Sequence, residues 1–232
     1  ASSSASASES EALEPESSSS SSSVFRRNAW VLPLFRKVSL LLEDINRTDQ
    51  FNKNNPYVTK EEYHPPMAET RDFQDMVAVE GVTPKDLEGL YVWNCNVPNT
   101  SPPTHTYTNL DGHGMVHSLK FQNGKAFMSS HVLRTKINTI ERLMNCDLFG
   151  RPGDLRSIFG LTKLAISKFI AAPFLGINPM EVGSANTNVL FFNKTWYALE
   201  ESMKPFRFQL DKQTGTISSG MDMMEASSSS SS

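Results

Sequence analysis

The stretch LDGHGMVHSLKFQNGKAFMSSHVLRT, residues 110–135, carries the strongest local fold signal in the chain. Apolar and polar side chains alternate over residues 115–121, and a period of two is typical of a half-buried β-strand. The pair Asn123-Gly124 follows, and both residue types tolerate the positive φ angles that a type I′ turn needs. A second strand-like run covers residues 126–134. The stretch therefore predicts a β-hairpin.

Further strand and turn signals lie on both sides of this hairpin. Towards the C-terminus, evenly spaced runs predict an antiparallel meander, the unit from which propellers and sandwiches are built. Between hairpin and meander, residues 154–172 switch to the apolar spacing of a helix. The other predicted strands are 76–79 and 90–93 before the hairpin, and 187–192, 195–200, 205–210 and 216–218 after it, with turns at 193–194 and 211–215.

Changes in composition divide the chain into four parts. The two serine-rich ends lack the side chains of a core and are expected to be disordered. The second part is expected to form a short amphipathic helix after Pro33 and, from residue 48, an extended connector. The third is a β-rich unit with a helical insert at 141–180. Because the chain begins with Ala1 and ends within serines, we expect it to be a fragment. The four parts are residues 1–23, 24–75, 76–225 and 226–232.

The composition excludes several classes of protein. The chain has 232 residues and a net charge of −3, and it lacks the clustered Lys and Arg of a nucleic-acid-binding protein. Its apolar stretches fall short of the ~20 residues that cross a bilayer. The acidic, serine-rich start resembles neither a signal peptide nor a transit peptide, so secretion is not expected. Two cysteines, Cys95 and Cys146, provide no disulfide framework or four-thiolate zinc site and favour a reducing compartment.

Two of the five histidines, His113 and His117, have the four-residue spacing of a helical metal-binding pair. The pattern around them is that of a strand, in which residues four apart are separated by roughly 13 Å, too far to hold one ion. We therefore expect His117 to pack in a half-buried sheet and His113 to hydrogen-bond in a loop. Asp111, in the glycine-rich turn, is expected to accept backbone N–H bonds.

Two adjacent carboxylates, Glu200 and Glu201, lie on the predicted strand WYALEESMKPF. Successive strand residues point to opposite faces, so one of the two faces the interior, where a carboxylate needs hydrogen bonds. One interpretation is a solvated pair at a strand end. The other is that one carboxylate orients a metal-bound histidine and fixes its tautomer.

The predicted helix and its surroundings, residues 154–175, allow two interpretations. Most such helices pack their apolar face on a core. The basic and aromatic residues here also fit a helix that lies in a membrane interface. Cys146, just upstream, is either a buried or free thiol or an acylation site.

Three pieces of the chain, in order, resemble the carotenoid cleavage oxygenase family, which includes the retinoid isomerohydrolase of vision. The first resembles the family's strand that enters the propeller, and the second its Asp-Gly-x-Gly-Met hairpin ending in Arg-Thr. The third resembles its Ala-Asn-Thr segment followed by Ala-Leu-x-Glu. They are GVTPKDLEGLYVWN (81–94), the hairpin stretch 110–135 and SANTNVLFFNKTWYALEESMKPFRFQLDKQTGTI (184–217).

The resemblance implies a mainly β fold, the N-terminal one to two blades of a seven-bladed β-propeller with an amphipathic helical insertion. It implies a non-haem Fe(II) centre held by four histidines, where O₂ cleaves a double bond of a carotenoid or apocarotenoid. Glutamates of the family hydrogen-bond the outer nitrogens of those imidazoles, and this role falls on Glu201. Residues 154–175 would take the place of the family's membrane-inserting segment, with a cytosolic or plastid membrane surface as the expected location.

The chain also departs from the family pattern. The residue between the two glycines, usually acidic, is His113, and His131 stands near a position usually held by Arg. The stretch WNCNVPN (93–99) replaces the family's Arg-Asn-Gly-Pro-Asn. None of the five histidines matches an iron-ligand position, so we expect the iron ligands to lie outside this chain and the chain alone to be inactive.

Two other interpretations remain open at this point. One is a non-catalytic, membrane-associated binding module, because the sequence offers no iron ligand of its own. The other is an unrelated antiparallel β domain, which would be closed and melt cooperatively, whereas an incomplete propeller would leave sheet edges unpaired.

Overall fold

A computed structural model of the chain describes residues 28–48, 71–76, 81–98, 111–201 and 203–219. The serine-rich ends expected to be disordered, 1–23 and 226–232, lie outside these residues, as do His64 and His105. Among the described residues the fold is mainly β, with two four-stranded antiparallel sheets and a helical layer.

The first sheet contains the predicted hairpin. Its strands are β1 (Arg71–Met76), β2 (Gly89–Val97), β3 (His113–Gln122) and β4 (Lys125–Val132), in the order β1-β4-β3-β2. The turn between β3 and β4 has Asn123 at φ 54° and Gly124 at φ 75°, so the hairpin is confirmed.

One prediction for the first sheet was wrong in its limits. The extended connector over 48–75 does not persist to its end, because β1 begins at Arg71 and pairs with β4. Of the strand expected at 76–79, only Met76 is described, as the last residue of β1, and residues 77–79 lie outside the described part. The sequence pattern did not predict a strand at Arg71–Met76 because this edge strand, RDFQDM, contains few apolar residues.

The second sheet is the predicted meander. Its strands are β5 (Asn188–Phe192), β6 (Thr195–Leu199), β7 (Phe206–Leu210) and β8 (Ile217–Ser219), paired in chain order. The β5–β6 turn has positive φ at both Asn193 and Lys194. Because β6 ends at Leu199, both Glu200 and Glu201 lie just beyond the strand rather than within it.

The helical layer consists of one N-terminal helix and of helices that lie, in the sequence, between the two sheets. Helix α1 (Leu32–Thr48) carries Pro33 in its first turn, where a missing N–H costs nothing. Thr135 caps α2 (Lys136–Met144), and its side chain accepts from Asn138 N. Ser157 caps α3 (Ile158–Ala165), which continues through a wider π-helical turn (Ile166–Ala171) into the short α4 (Ala172–Phe174).

The helical segments differ in detail from the sequence-based expectation. The first helix begins at Lys136, before the expected start of the insert at 141. The helix expected at 154–172 is interrupted at Ser157, which has an extended backbone between a 3-10 turn (Pro152–Arg156) and α3. None of the helices in the described ranges combines the length and the apolar content that crossing a bilayer requires.

Two apolar cores hold these layers together. One packs the helical layer, with Leu32 of α1, Ile137 and Ile140 of α2, and Phe149 and Leu175 buried together. The other lies between the sheets, where Val116 and Leu133 meet Ala198 and Phe208. On β3, even-numbered side chains therefore face the second sheet, and odd-numbered ones face away from it.

The two sheets meet at a close backbone contact. Gly114 N on β3 donates to Ser184 O at 2.7 Å, just before the second sheet begins. A Cβ at position 114 would lie 2.1 Å from Ala185 O, so only glycine fits there. Asn94 of β2 donates its Nδ2 to Ala185 O at 2.7 Å. These contacts fix where the Ser-Ala-Asn-Thr segment enters the second sheet.

Candidate functional site

The adjacent carboxylates after β6 have different surroundings. Glu200 Oε2 accepts hydrogen bonds from the backbone N–H groups of Ser184 and Ala185, so it braces the turn that joins the sheets. Glu201 is exposed, and its Oε2 accepts from Thr187 Oγ1 at 3.2 Å. Of the two, Glu200 is committed to the backbone, whereas Glu201 keeps its carboxylate at the surface.

A buried ionic cluster joins the first sheet to the helical layer. His113 Nε2 lies 2.7 Å from Glu141 Oε2 of α2, and Arg151 Nη2 lies 2.5 Å from the same oxygen. Arg151 also reaches Ser184 Oγ at 3.2 Å. All three charged or titratable side chains are almost fully buried. The expectation that His113 lies in a loop was wrong, because it begins β3.

The contacts define the protonation of this cluster. Glu141 Oε2 accepts from both Arg151 and His113, which requires the hydrogen of His113 on Nε2. Nδ1 of His113 is buried and has no hydrogen-bond partner in the described part of the chain, so a second proton there would be unsatisfied. Burial, reinforced by the positive charge of Arg151, lowers the pKa of His113. The imidazole is therefore neutral.

The carboxylate of the cluster stays ionised. Burial alone would raise the pKa of Glu141, but the Arg151 guanidinium and the hydrogen bond from His113 outweigh it and hold the pKa below its ordinary value of 4.5. Glu141 Oε1 additionally accepts from Phe149 N at 2.8 Å. The cluster is thus a neutral imidazole and a guanidinium that both contact one oxygen of an ionised carboxylate.

The same cluster contains a set of metal-type ligands that does not fit an iron ion. His113, Glu141 and Asp147 bring one ligand atom each to within 4.8 Å of one another. Arg151 Nη2 lies 3.0 Å from His113 Nε2 and donates a hydrogen bond to Glu141, so the positively charged guanidinium already lies beside two of these three side chains. A guanidinium beside an iron ion would repel it. The cluster is therefore unsuited to an iron ion, and the described residues provide no four-imidazole centre.

The remaining residues singled out in the sequence have separate partners. His117 is buried in the sheet, and its Nδ1 lies 2.6 Å from Ser130 Oγ, so it shares no ligand position with His113. His131 is also buried. Asp111 Oδ1 accepts from Gly153 N at 2.9 Å, which confirms a backbone acceptor role but with a distant residue. Both cysteines are free thiols, and Cys146 is buried in the helical core, which argues against acylation in this conformation.

Helix α3 and the turn that follows present their apolar side outwards. The buried positions Gly160, Lys163, Ser167 and Ala171 step by three or four residues. Lys163 Nζ bonds Glu43 of α1 at 3.1 Å and lies 3.6 Å from Asp154. Lys163 therefore lies on the packed face of the helix. The large exposed apolar side chains of this segment are Leu155, Ile158, Phe159, Leu161, Phe169, Ile170 and Phe174, named here the apolar helical surface.

Sequence reasoning missed Glu141, Asp147 and Arg151 as site residues. They lie in a stretch without a recognisable motif, and the residues they contact are far away in sequence. Charged residues in a helical pattern are also expected on a solvated face. Only the unusual His113 between two glycines pointed to this place.

The fold and these contacts define a mainly β protein built from successive four-stranded antiparallel sheets, capped by helices that expose an apolar face. The family model described as RPE65, retinal pigment epithelial membrane protein, matches residues 63–219, more than half of the chain. The chain belongs to this family, that of the carotenoid cleavage oxygenases.

Individual relatives agree with this assignment. The chain is 32% identical over 142 residues to the probable carotenoid cleavage dioxygenase 4, chloroplastic, of Arabidopsis thaliana, which covers 59% of this chain and 23% of that protein. It is 30% identical over 148 residues to the carotenoid 9,10(9′,10′)-cleavage dioxygenase 1 of Pisum sativum, covering 64% and 27%. The chain thus spans about a quarter of the length of these relatives.

A solved structure supports the fold. The lignostilbene dioxygenase of Pseudomonas brassicacearum superimposes with a TM-score of 0.50 at 22% identity, over 71% of this chain and 31% of that one. At this identity the similarity speaks for the fold alone.

Proposed function

We propose that this chain is part of an oxygenase that cleaves a conjugated double bond of a carotenoid or apocarotenoid with O₂ at a non-haem Fe(II) centre. The observation that carries the proposal is the family match over residues 63–219. The relatives in that family are named as carotenoid cleavage dioxygenases. The activity is proposed for the whole gene product, and the chain of 232 residues alone is expected to be inactive.

The two sheets are proposed to be the first blades of a seven-bladed propeller. Successive four-stranded antiparallel sheets are the repeat of that architecture. Strands β2 and β5, each at an edge of its sheet, contact each other, which suits inner strands beside a common axis. The outer face of the second sheet, with Phe192 67% exposed, is suited to a third blade.

Glu201 is proposed to orient an iron-bound imidazole that lies outside this chain. A carboxylate can accept the outer N–H of such a ring, fixing its tautomer and its angle. Glu200 is unsuited to this role because its Oε2 already accepts two backbone N–H groups. Thr187 supports the exposed carboxylate of Glu201 from the side.

Expression of the complete gene product in carotenoid-accumulating bacteria tests this proposal. We expect loss of pigment, formation of aldehyde products, and bound iron. Glu201→Gln should lower activity by about 10- to 100-fold while the protein stays folded, since such partners typically contribute that much. Glu200→Gln is the matched control at the neighbouring carboxylate and should act on thermal stability more than on the rate per bound iron. Unchanged activity in Glu201→Gln would remove the role from Glu201.

The apolar helical surface is proposed to lie on a membrane, where an apolar substrate resides. Its exposed side chains include Ile158 at 70% and Phe169 at 68%, too many large apolar groups on one segment for an ordinary solvated helix. Asn28 Nδ2 donates to Phe174 O at 2.6 Å, so α1 begins beside this surface, and Trp30 is 73% exposed there. Because the matched relative from Arabidopsis thaliana is named as chloroplastic, a plastid membrane is the proposed location.

Flotation with phosphatidylcholine vesicles tests the membrane proposal. The chain should float with the vesicles, and Ile158→Glu combined with Phe169→Glu should abolish flotation. Leu143→Glu, at a position 65% exposed on α2, is the control and should leave binding unchanged. Equal losses in both variants would indicate non-specific adsorption instead.

A non-catalytic, membrane-associated binding module is a second candidate. It is favoured by the absence of an iron-compatible histidine set among the described residues. Metal analysis of the complete gene product separates the two candidates, since stoichiometric iron contradicts a purely binding role.

A further inference from the structure

Three polar side chains form a chain of hydrogen bonds across neighbouring strands of the first sheet. Cys95 Sγ of β2 lies 2.9 Å from His117 Nε2 of β3, and His117 Nδ1 lies 2.6 Å from Ser130 Oγ of β4. His117 pairs directly with Ser130 across the sheet, and Cys95 lies diagonal to it. The three side chains share the face that points away from the second sheet.

The protonation of this chain follows from burial. Burial raises the pKa of the Cys95 thiol to about 11 and lowers the pKa of His117 below its usual 6.5. At neutral pH the thiol therefore stays protonated and donates a hydrogen bond to His117 Nε2. The ring hydrogen is then on Nδ1, which donates to the Ser130 oxygen. The raised pKa disfavours the thiolate, so reaction at this sulfur depends on its geometry: a nucleophile bonded to a base, with the base oriented by a third group.

Aromatic rings lie beside the imidazole that contacts the sulfur, and flat conjugated molecules stack on such rings. Cys95 is partly exposed, whereas Cys146 is buried. The rings of Tyr91 and Trp93 stack 5.2 Å apart, and Trp93 stacks on His117 at 5.0 Å with an interplanar angle of 18°. Tyr91 is 62% exposed, so this row of rings leads from the surface to the thiol.

We propose that Cys95 is a covalent modification site for α,β-unsaturated carbonyl compounds, with His117 as its general base and Ser130 as a positioning residue. The sulfur bonds to the β-carbon while the S–H proton passes to His117 Nε2 and the electron pair of the C=C bond moves into an enolate. The α-carbon then takes the proton back from His117. The addition needs no oxidant and releases no leaving group.

The identity of the physiological ligand rests on the proposed function, whereas the chemistry of the site does not. Oxidative cleavage of a conjugated polyene leaves conjugated aldehydes, which belong to this class of electrophile. Cys95 would then capture a product of that reaction.

Alkylation of the purified 232-residue chain by trans-2-hexenal, followed by intact mass and peptide mapping, tests the site. We expect one adduct, on Cys95 and not on Cys146. Its rate should level off above the pKa of His117 and stay flat through neutral pH. A rate that climbs tenfold per pH unit toward pH 11 would show a simple thiolate reaction and overturn the proposal, as would the absence of an adduct.

Single substitutions test the roles of the base and of the nucleophile one at a time. His117→Asn should slow alkylation at pH 7 by about 10²-fold, the usual contribution of a general base, and Ser130→Ala should slow it less. Cys95→Ser should abolish the adduct. Circular dichroism verifies folding, and the pH profile of the unmodified chain decides the matter if His117→Asn does not fold.

A second probe, all-trans-retinal, tests separately whether the site is reactive and whether it captures a polyene aldehyde. Reaction with both aldehydes supports product capture, whereas reaction with hexenal alone supports the site and overturns capture of a polyene product. Neither readout uses oxygenase activity, so failure of the proposed function would leave the alkylation result unaffected.

Discussion

Arg151 supplies the positive charge that balances the buried carboxylate of Glu141. Its guanidinium contacts Glu141 of α2, His113 of β3 and Ser184 before the second sheet, and its side chain is 2% exposed. Buried ion pairs contribute little over apolar packing, but removing one partner is costly because the other charge stays buried. Arg151 therefore couples three parts of the fold through one side chain.

Arg151→Ala should destabilise the chain by about 3–5 kcal/mol, because it leaves the Glu141 carboxylate buried without its counter-charge. Chemical unfolding followed by circular dichroism measures the change. Glu181→Gln is the control: it removes the exposed 2.7 Å pair with Lys136 and should cost less than about 1 kcal/mol. Similar losses in both variants would contradict the role given to Arg151.

The buried histidines predict acid sensitivity at mildly acidic pH. Burial lowers the pKa of His113 and His117 in the folded chain, so the unfolded chain binds protons first as pH falls below 6.5. Their contribution to stability is complete above pH 6.5 and is lost towards the folded pKa, with a slope of at most about 1.4 kcal/mol per pH unit for each histidine.

Unfolding midpoints between pH 5 and 7.5 measure this slope. His113→Asn should make it shallower, because one histidine with a lowered pKa is gone while the position can still donate to Glu141. Staying above pH 5 keeps the titration of Glu141 out of the window, since its pKa lies below 4.5. An unchanged slope would mean that His113 takes up its proton in the folded chain.

At the scale of elements, a backbone contact adds to the apolar core that joins the first sheet to the second. Gly114 brings β3 against Ser184 and Ala185, and Leu133 N donates to Gly114 O at 2.8 Å. Glu200 holds the other side of the same segment. The entry into β5 is thus fixed from both sheets.

Gly114→Ala should cost about 3 kcal/mol or more, because its Cβ would meet the Ala185 carbonyl and displace the bond to Ser184. Thermal and denaturant unfolding measure it. Gly81→Ala is the comparison: nothing lies within 4 Å of its Cβ, so only its positive φ of 77° counts, at about 1–2 kcal/mol. A loss at Gly114 no larger than that at Gly81 would contradict the close contact.

The elements differ in how far the sequence could predict them. The hairpin and the meander were predictable because their turns depend on neighbouring residues, as at Asn123-Gly124 with positive φ at both positions. The outward-facing apolar side of α3 was not, because apolar periodicity locates a face without telling what covers it. Lys163 illustrates the difference: its burial depends on Glu43 of α1, 120 residues away. The ionic cluster likewise depends on tertiary contacts.

At the scale of the whole molecule, the outer face of the second sheet has no covering element among the described residues. Leu190 and Phe192 of β5 are 46% and 67% exposed and share a face, and β5 is an edge strand. An uncovered apolar sheet face favours packing against another chain. This is what the proposed propeller requires, because its next blade would cover this face.

The chain should therefore self-associate through this face. Leu190→Lys combined with Phe192→Lys should shift the mass distribution in analytical ultracentrifugation towards monomer, since two charges oppose burial of this face. Leu87→Lys with Leu143→Lys adds the same charge at exposed apolar positions outside the sheet faces and should change the distribution little. If both double variants shift it equally, net charge alone controls association. A monomeric parent chain would instead favour a closed domain over an incomplete propeller.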